Sequence, residues 1–309
     1  MTLFALMLAT FLQPPQEQVF RFQVDVRTVY VDVFVTHDGK ALTGLTANDF
    51  EVLDNDVRQQ IDLVDPDIVP LSTILLLDTS GSVSGERLQH LRSAAHAFVQ
   101  GLKEKDEAAL MTFAQDWQMP LDLSGDFDSL HTALDQPARG GLTSLHDALF
   151  AGLKLVEDGT GRHMILVFTD GLDNASWITE KELLDVVRES EAVVHAVGFE
   201  STAEISIRNT GDGVTLRPGV GPRSPDLPER ARDLLEGLTG ETGGRAWYAD
   251  SSANLKEVFL EVLKEMETRY LISYQIQEPV ATGWHELEVK LKHHDADELR
   301  ARSGYMVTQ

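Results

Sequence analysis

Residues 73–82 read TILLLDTSGS, and this stretch decides the fold class of the chain. Its first five residues predict a short apolar strand, and Asp78, Ser80 and Ser82 follow as an Asp-x-Ser-x-Ser turn ahead of a helix. In open α/β sheets, ligands bind outside the carboxyl ends of the strands, where one turn can aim a carboxylate and two hydroxyls into a single crevice. Hard oxygen ligands of this kind suit Mg²⁺, Mn²⁺ or Ca²⁺.

The sequence around this stretch alternates short apolar strands with amphipathic helices. Such alternation indicates a parallel sheet wrapped by crossover helices, so we predict an α/β fold with a doubly wound, mostly parallel sheet. The predicted strands are 73–77, 108–113, the edge piece 119–123, 164–168, 193–197 and 245–248. The predicted helices are 86–102, 127–134, 145–156, 180–190, 228–238 and 253–266.

Two later segments add oxygen-bearing side chains at other loops of the predicted sheet. Gly140-Gly141-Leu142-Thr143 precedes a helix and places a hydroxyl in a loop. Thr169-Asp170-Gly171 follows the apolar strand 164–168 and places a carboxylate at another strand end. Because the carboxyl ends of parallel strands share one edge, three separate segments are expected to converge there.

The order and spacing of these residues resemble the von Willebrand factor A family over about residues 70–268. Its metal-ion-dependent adhesion site uses Asp-x-Ser-x-Ser, a downstream Thr and an Asp after the central strand. The resemblance implies that Ser80, Ser82 and Thr143 ligate Mg²⁺, or Ca²⁺ or Mn²⁺, while Asp78 and Asp170 bind it directly or through water. With so few carboxylates, the ion keeps a positive charge and an open position for a partner's Glu or Asp.

Both ends of the chain predict strands without interposed helices. Residues 19–68 alternate apolar and polar positions, with tight turns at Asp38-Gly39 and Asp54-Asn55-Asp56, and residues 269–309 predict strands 271–277, 285–292 and 299–307. Neither segment alone can bury a two-sided core, so we predict that together they form a small β-sandwich-like module around the 70–268 domain. The flanks 44–50 and 302–305 resemble a bacterial subfamily of exported A-domain proteins.

The composition and the first residues limit partners and location. A formal net charge of -24 argues against nucleic acid and anionic lipid, and the absence of cysteine excludes disulfides and thiolate sites. Leu3 to Leu12 is an apolar run too short to span a bilayer, which predicts a signal peptide at residues 1–18 and a secreted or periplasmic protein. The alternative is a disordered or loosely docked N-terminus. No later segment predicts a membrane span, and the oligomeric state is not predicted.

Other motifs are assigned to structure rather than chemistry. The 200–229 segment, with Arg208, Arg217 and Arg223, predicts a long surface loop whose arginines are solvated or contact an acidic partner. His293-His294-Asp295 predicts a polar hairpin tip rather than a second metal site. Asp173-Asn174 predicts a cap or turn. The row of glutamates at helical spacing predicts a solvated helix face; it comprises Glu257, Glu261 and Glu265.

The functional hypothesis is a metal-dependent module that binds a protein or peptide presenting Asp or Glu, and not an enzyme. One alternative is a structural domain whose metal only stabilises loops. A second is an aspartic-protease-like hydrolase, because residues 75–81 resemble the apolar-Asp-Thr-Ser/Gly element of those enzymes. The protease hypothesis requires a second such element, which the sequence lacks, and an all-β fold. A phosphatase with Asp-x-Asp is excluded because Ser80 occupies the second carboxylate position.

Overall fold

A computed structural model provides the structure of the chain. It describes residues 26–64, 68–169, 173–199, 209–210, 213–214, 226–249, 251–277 and 281–307. The predicted signal peptide and most of the predicted 200–229 loop, including its three arginines, lie outside these residues. Among the described residues, no helix combines the length and the apolar character that crossing a bilayer would require.

The N-terminal part consists of strands joined by tight turns. They are β1 (Val26–His37), β2 (Lys40–Ala41), β3 (Phe50–Asp54), β4 (Val57–Arg58) and β5 (Ile61–Val64). The alternation along β1 buries one valine face in the core. Both predicted turns are confirmed, because Asp38, Gly39, Asn55 and Asp56 adopt positive φ between paired strands.

The central part alternates strands and helices as predicted. Its strands are β6 (Leu71–Asp78), β7 (Glu107–Phe113), β8 (Trp117–Ser124), β9 (Arg162–Thr169), β10 (Val193–Phe199), the short pair β11 (Asn209–Thr210) and β12 (Gly213–Val214), and β13 (Ala246–Ala249). Its helices are α1 (Glu86–Gln100), α2 (Phe127–Leu134), α3 (Leu145–Val156), α4 (Glu180–Glu189), α5 (Asp226–Thr242) and α6 (Leu255–Thr268).

The main sheet has the strand order β13-β10-β9-β6-β7-β8, and only the edge strand β8 runs antiparallel. Apolar side chains of the central strands pack into two separate hydrophobic cores, one on each face of the sheet. Helices α1, α2 and α6 cover one face, and α3, α4 and α5 cover the other. The predicted doubly wound α/β fold is therefore confirmed. Asp78 consequently lies in a parallel sheet and not in the all-β fold of an aspartic protease.

The last strands return to the N-terminal ones. They are β14 (Tyr270–Gln277), β15 (Gly283–Leu291), β16 (Glu298–Arg300) and β17 (Gly304–Val307). One sheet has the order β16-β1-β14-β5 with β2 added to β1, and the other has the order β17-β15-β3-β4. Each sheet contains strands from both ends of the chain and contributes to a shared core. The predicted sandwich-like module is thus confirmed.

A buried polar cluster lies inside this sandwich. The carboxylate of Asp54 accepts hydrogen bonds from the hydroxyls of Tyr274 at 2.8 Å and Tyr305 at 2.7 Å, and it pairs with Nδ1 of His285 at 2.8 Å. Burial of the imidazole disfavours its charged form, but its hydrogen bonds to the Ala281 carbonyl and to Asp54 prevail and raise the pKa of His285 above 6.5.

Two predicted boundaries were wrong. The expected strand 299–307 is two strands in different sheets, because the chain crosses between them at residues 301–303. There the side chain of Arg302 turns inward and its Nε donates to the Gly304 carbonyl at 2.7 Å, while the Ser303 amide donates to Glu241. The expected loop 200–229 also ends early, since α5 begins at Asp226.

The predicted solvated row of glutamates on the last helix was wrong at one position. Glu257 and Glu261 are exposed, but Glu265 is only 5% exposed. Its two carboxylate oxygens accept hydrogen bonds from Arg269 at 2.8 Å and from Arg300 at 2.6 Å. Arg300 lies on β16, so the C-terminal end of α6 is tied to the sandwich by a buried ionic contact.

Candidate metal centre

The first predicted ligand, Asp78, is the last residue of β6 and is completely buried. Its Oδ1 accepts the amide hydrogen of Ser80 at 2.8 Å, and its Oδ2 accepts the hydroxyl hydrogen of Thr169 at 2.9 Å. Thr169 ends β9, the strand that neighbours β6. The carboxylate is therefore held in one orientation from two adjacent strand ends.

The two serines of the motif lie in the same turn. Ser80 is buried and Ser82 is exposed, yet their hydroxyl oxygens are 3.1 Å apart. Adjacent oxygen ligands of an octahedral Mg²⁺, each about 2.0–2.1 Å from the ion, would lie about 2.9 Å apart. The spacing of this pair therefore fits the donor set of a small hard cation.

The loop that carries Thr143 is hydrogen-bonded directly to this turn. The amide of Gly140 donates to the carbonyl of Thr79 at 3.0 Å, and the amide of Gly81 donates to the carbonyl of Gly141 at 3.0 Å. Gly140 and Gly141 adopt φ values of 70° and 107°, a region that favours glycine. Thr143, buried just beyond these glycines, is thereby brought to the same edge as the serine turn.

Asn174 fixes the position of Thr143 from a third loop. The Asn174 side-chain oxygen accepts the Thr143 amide hydrogen at 2.8 Å, and the Asn174 amide donates to the Thr143 carbonyl at 2.9 Å. Asp173 also accepts the Ser176 hydroxyl hydrogen at 2.6 Å, so the side chains of both Asp173 and Asn174 form hydrogen bonds at this edge of the sheet. The contact by which Asn174 holds Thr143 was not predicted from the sequence.

The structure thus brings together four of the five predicted ligands, Asp78, Ser80, Ser82 and Thr143. The fifth, Asp170, lies outside the described residues, and its assignment stays a prediction. All four donors are hard oxygens, which fits Mg²⁺, Mn²⁺ or Ca²⁺ and not a soft metal. Among the described residues, no group of three or more His, Asp or Glu side chains could hold a metal, including those at the 293–297 tip.

Exposed apolar side chains flank this edge of the sheet. Leu142, next to Thr143, is 51% exposed, and Trp177 is 93% exposed. The loop that bears Trp177 is nevertheless well anchored, since the amides of Trp177 and Ile178 donate to the carboxylate of Asp147 at 3.0–3.1 Å. Asp147 lies in the first turn of α3, the helix that follows Thr143. A large apolar side chain is therefore presented to solvent on a fixed loop beside the candidate ligands.

Comparison with known proteins places the central part in a described family. Residues 73–172 match the family described as "von Willebrand factor type A domain". The chain is 24% identical to inter-alpha-trypsin inhibitor heavy chain H3 of Bos taurus, over 66% of this chain and 22% of that protein. The match therefore spans about a fifth of the relative's length.

Solved structures with a similar fold include two proteins of low sequence identity. Proximal thread matrix protein 1 from the mussel byssus aligns with a TM-score of 0.50 and 16% identity, over 71% of this chain and 51% of that chain. The vWF domain of the type V pili tip protein Mfa5 from Porphyromonas gingivalis aligns with a TM-score of 0.47 and 11% identity, over 63% and 94% respectively. At such identity the likeness concerns the fold alone.

Proposed function

Since the chain is a von Willebrand factor type A domain protein, we propose that it binds a protein or peptide partner through a divalent cation held by Asp78, Ser80, Ser82, Thr143 and Asp170. Domains of this type typically mediate protein interaction or adhesion. The observation that carries the proposal is the pair of hydrogen-bonded loops at the end of β6, residues 79–82 and 140–143. They gather a buried carboxylate and two hydroxyls 3.1 Å apart at one edge of the sheet.

The ion we propose is Mg²⁺, with Ca²⁺ or Mn²⁺ as substitutes. When bound, it supplies a positive charge and an open coordination position. The side chains of Asp78, Ser80, Ser82 and Thr143 would hold it, and Thr169 and Asn174 would keep two of those residues in place. The role of this chain is to bind and orient, so we propose a recognition module and not an enzyme.

The charge of the protein favours an acidic ligand only if a cation lies between the two. With a formal net charge of -24, the surface repels a partner carboxylate at long range. A metal bridge reverses that repulsion at one point. The exposed side chains of Leu142 and Trp177 add apolar contact area beside it. We therefore propose that the recognised segment carries Asp or Glu next to apolar residues.

The metal site is tested by titrating the full chain with Mn²⁺ and following free Mn²⁺ by electron paramagnetic resonance. We expect one saturable site in the wild type, at least a tenfold weaker affinity in Asp78→Asn, and no change in Asp122→Asn, an exposed carboxylate on β8. Equal Mn²⁺ affinity in wild type and Asp78→Asn would overturn the assignment of the site.

Recognition is tested separately by a pull-down from an envelope or extracellular fraction, run with Mg²⁺ and repeated with a chelator. We expect the partner to be retained with Mg²⁺ and lost with the chelator, and Asp78→Asn, which keeps the size of the side chain and an acceptor oxygen, to lose it with little change in Tm. A partner retained equally in both conditions would argue against the metal bridge. Loss of the wild-type fold on addition of the chelator would instead support the alternative, a structural domain whose metal stabilises loops.

We also propose that the protein acts outside the cytoplasm, as a secreted or periplasmic module. The support is the apolar run Leu3 to Leu12 near the start of the sequence. Fractionation of cells that express the full chain tests this directly. Recovery of the protein only in the cytoplasmic fraction, with its first residues intact, would refute it.

A further inference from the structure

A cavity of about 340 Å³ lies at the seam between the α/β domain and the sandwich. Its lining includes Arg162 and Val193, the first residues of β9 and β10, together with residues of β1, β5 and β14. Asp78 and Thr169 lie at the opposite, carboxyl ends of the parallel strands. The cavity is therefore separate from the candidate metal centre, on the other edge of the same sheet.

Arg302 forms part of the cavity wall and carries a buried charge with no carboxylate in direct contact. It is 8% exposed, and its Nε and Nη2 donate to backbone carbonyls, those of Gly304 at 2.7 Å and Ser190 at 3.2 Å. Among the described residues, no carboxylate lies within 4.0 Å of its guanidinium, and Nη1 makes no hydrogen bond. Glu191 also lines the cavity and attracts Arg302 electrostatically, but it is exposed to solvent and lies more than 4.0 Å from the guanidinium.

The guanidinium groups at the seam differ in whether a carboxylate contacts them. These groups belong to Arg162, Arg269, Arg300 and Arg302, and the carboxylates that contact the first three are Asp32 and Glu265. The cavity lining holds two of these guanidiniums, Arg162 and Arg302, and two carboxylates, Asp32 and Glu191. Asp32 pairs with Arg162, and Glu265 pairs with Arg269 and Arg300. Arg302 has no such carboxylate contact among the described residues. A buried charge without a contacting counter-ion is unfavourable, so the guanidinium of Arg302 favours an anion at this position in the cavity.

The remaining lining of the cavity is partly apolar. The side chains of Val69, Val193 and Leu271 line it, and so does Tyr30, which is 50% exposed on β1. A volume of about 340 Å³ is at the lower end of the range for small-molecule sites. Such a site suits a ligand with one charged group and a short apolar body.

We propose that this cavity binds an organic carboxylate, whose charged group pairs with Arg302 and whose apolar part packs against Tyr30 and Leu271. A guanidinium recognises a carboxylate by charge-assisted hydrogen bonds, and Nη1 of Arg302 is available to donate one. The same chemistry is offered by a free medium-chain acid and by the C-terminal carboxylate of an apolar peptide. The two sources differ in what accompanies the carboxylate, so they can be distinguished experimentally.

The test is isothermal titration calorimetry on the full chain with four probes. The first pair is octanoate and octanamide, and the second is the peptide Ala-Leu-Leu with a free carboxylate and the same peptide with a C-terminal amide. We expect saturable binding of at least one acid and none of its amide counterpart. Binding of octanoate identifies the free-acid source, and binding of the peptide acid alone identifies the peptide source. Failure of both acids to bind, or equal binding of acid and amide, overturns the proposal.

Variants locate the binding in the cavity. We expect Arg302→Gln to weaken binding of the acid at least tenfold and Tyr30→Ala to weaken it about threefold, while the exposed Arg58→Gln leaves it unchanged. Asp78→Asn should also leave it unchanged, which separates this site from the metal centre. Because Arg302 also bonds to backbone carbonyls, Tyr30→Ala decides the question if Arg302→Gln fails to fold. Unchanged affinity in Tyr30→Ala would then overturn the proposal.

Discussion

Glu265 offers a direct test of the ionic contact that joins the last helix to the sandwich. Its carboxylate is 5% exposed and accepts hydrogen bonds from Arg269 at 2.8 Å and Arg300 at 2.6 Å. Glu265→Gln keeps the shape of the side chain but removes its charge. Two guanidiniums then lose their shared counter-ion, and of the described carboxylates Arg269 keeps only Asp32 at 3.9 Å while Arg300 keeps only Glu298 at 3.1 Å. A buried ion pair that loses one partner costs about 3–5 kcal/mol.

The expected loss is large enough to measure by thermal and urea denaturation. At roughly 2–4 °C per kcal/mol for domains of about 150–250 residues, Tm should fall by about 6–20 °C. Glu261→Gln is the matched control, since Glu261 lies one turn earlier on the same helix and is exposed. The control should change stability by less than about 0.5 kcal/mol.

A double variant sharpens this test. Adding Arg300→Met to Glu265→Gln removes one of the two guanidiniums that lost this counter-ion, so part of the lost stability should return. Equal Tm and equal urea midpoints in Glu265→Gln and Glu261→Gln would refute a stabilising role for the buried contact of Glu265 with Arg269 and Arg300. Additive losses in the double variant would likewise show that Glu265 and Arg300 do not act on each other.

Three further outcomes are expected. Trp177→Ala should weaken binding of the partner captured with Mg²⁺ at least tenfold without changing Tm. Val57→Ala, at an exposed site on the sandwich, should leave the affinity for that partner unchanged. Equal affinity in the two variants would show that Trp177 is not part of the binding surface. Folding raises the pKa of His285, so its contribution to stability is complete below the unfolded pKa near 6.5 and is lost as pH rises through the folded pKa. The urea midpoint should therefore fall more steeply with rising pH in the wild type than in His285→Gln. Parallel curves for the two proteins would contradict this. Gly244→Ala should destabilise the protein by at least about 2 kcal/mol, because its Cβ would overlap the backbone of β10, while Gly240→Ala meets open space and should be neutral or slightly stabilising by urea denaturation.

The features that could be predicted from the sequence are those with local signals. The valine alternation in β1 and the positive-φ dipeptide Asp38-Gly39 are visible over a few residues, and so is the apolar strand that ends at Asp78. Period, turn chemistry and the placement of ligands at strand ends were sufficient for the fold class and for bringing most candidate ligands to one edge.

The features that could not be predicted depend on distant partners. Glu265 has the spacing of a solvated helix face, and only its contact with Arg300, 35 residues later, keeps it buried. The break between β16 and β17 depends on the inward turn of Arg302, which no local pattern marks. Asn174 fixes Thr143 from 31 residues away, and the only local signal for it was a turn-forming dipeptide after the Asp170 motif.

The position of β1 has a consequence for synthesis of the chain. β1 lies between β14 and β16, and its Val33 pairs with Tyr270, which is translated 237 residues later. Every strand of the six-stranded sheet is synthesised during that interval. Throughout it, the valine side of β1 is not yet covered by the β17-β15-β3-β4 sheet. Closing so long a loop adds little to the final free energy but delays the encounter. The valine face of β1 therefore stays without this strand partner until Tyr270 leaves the ribosome.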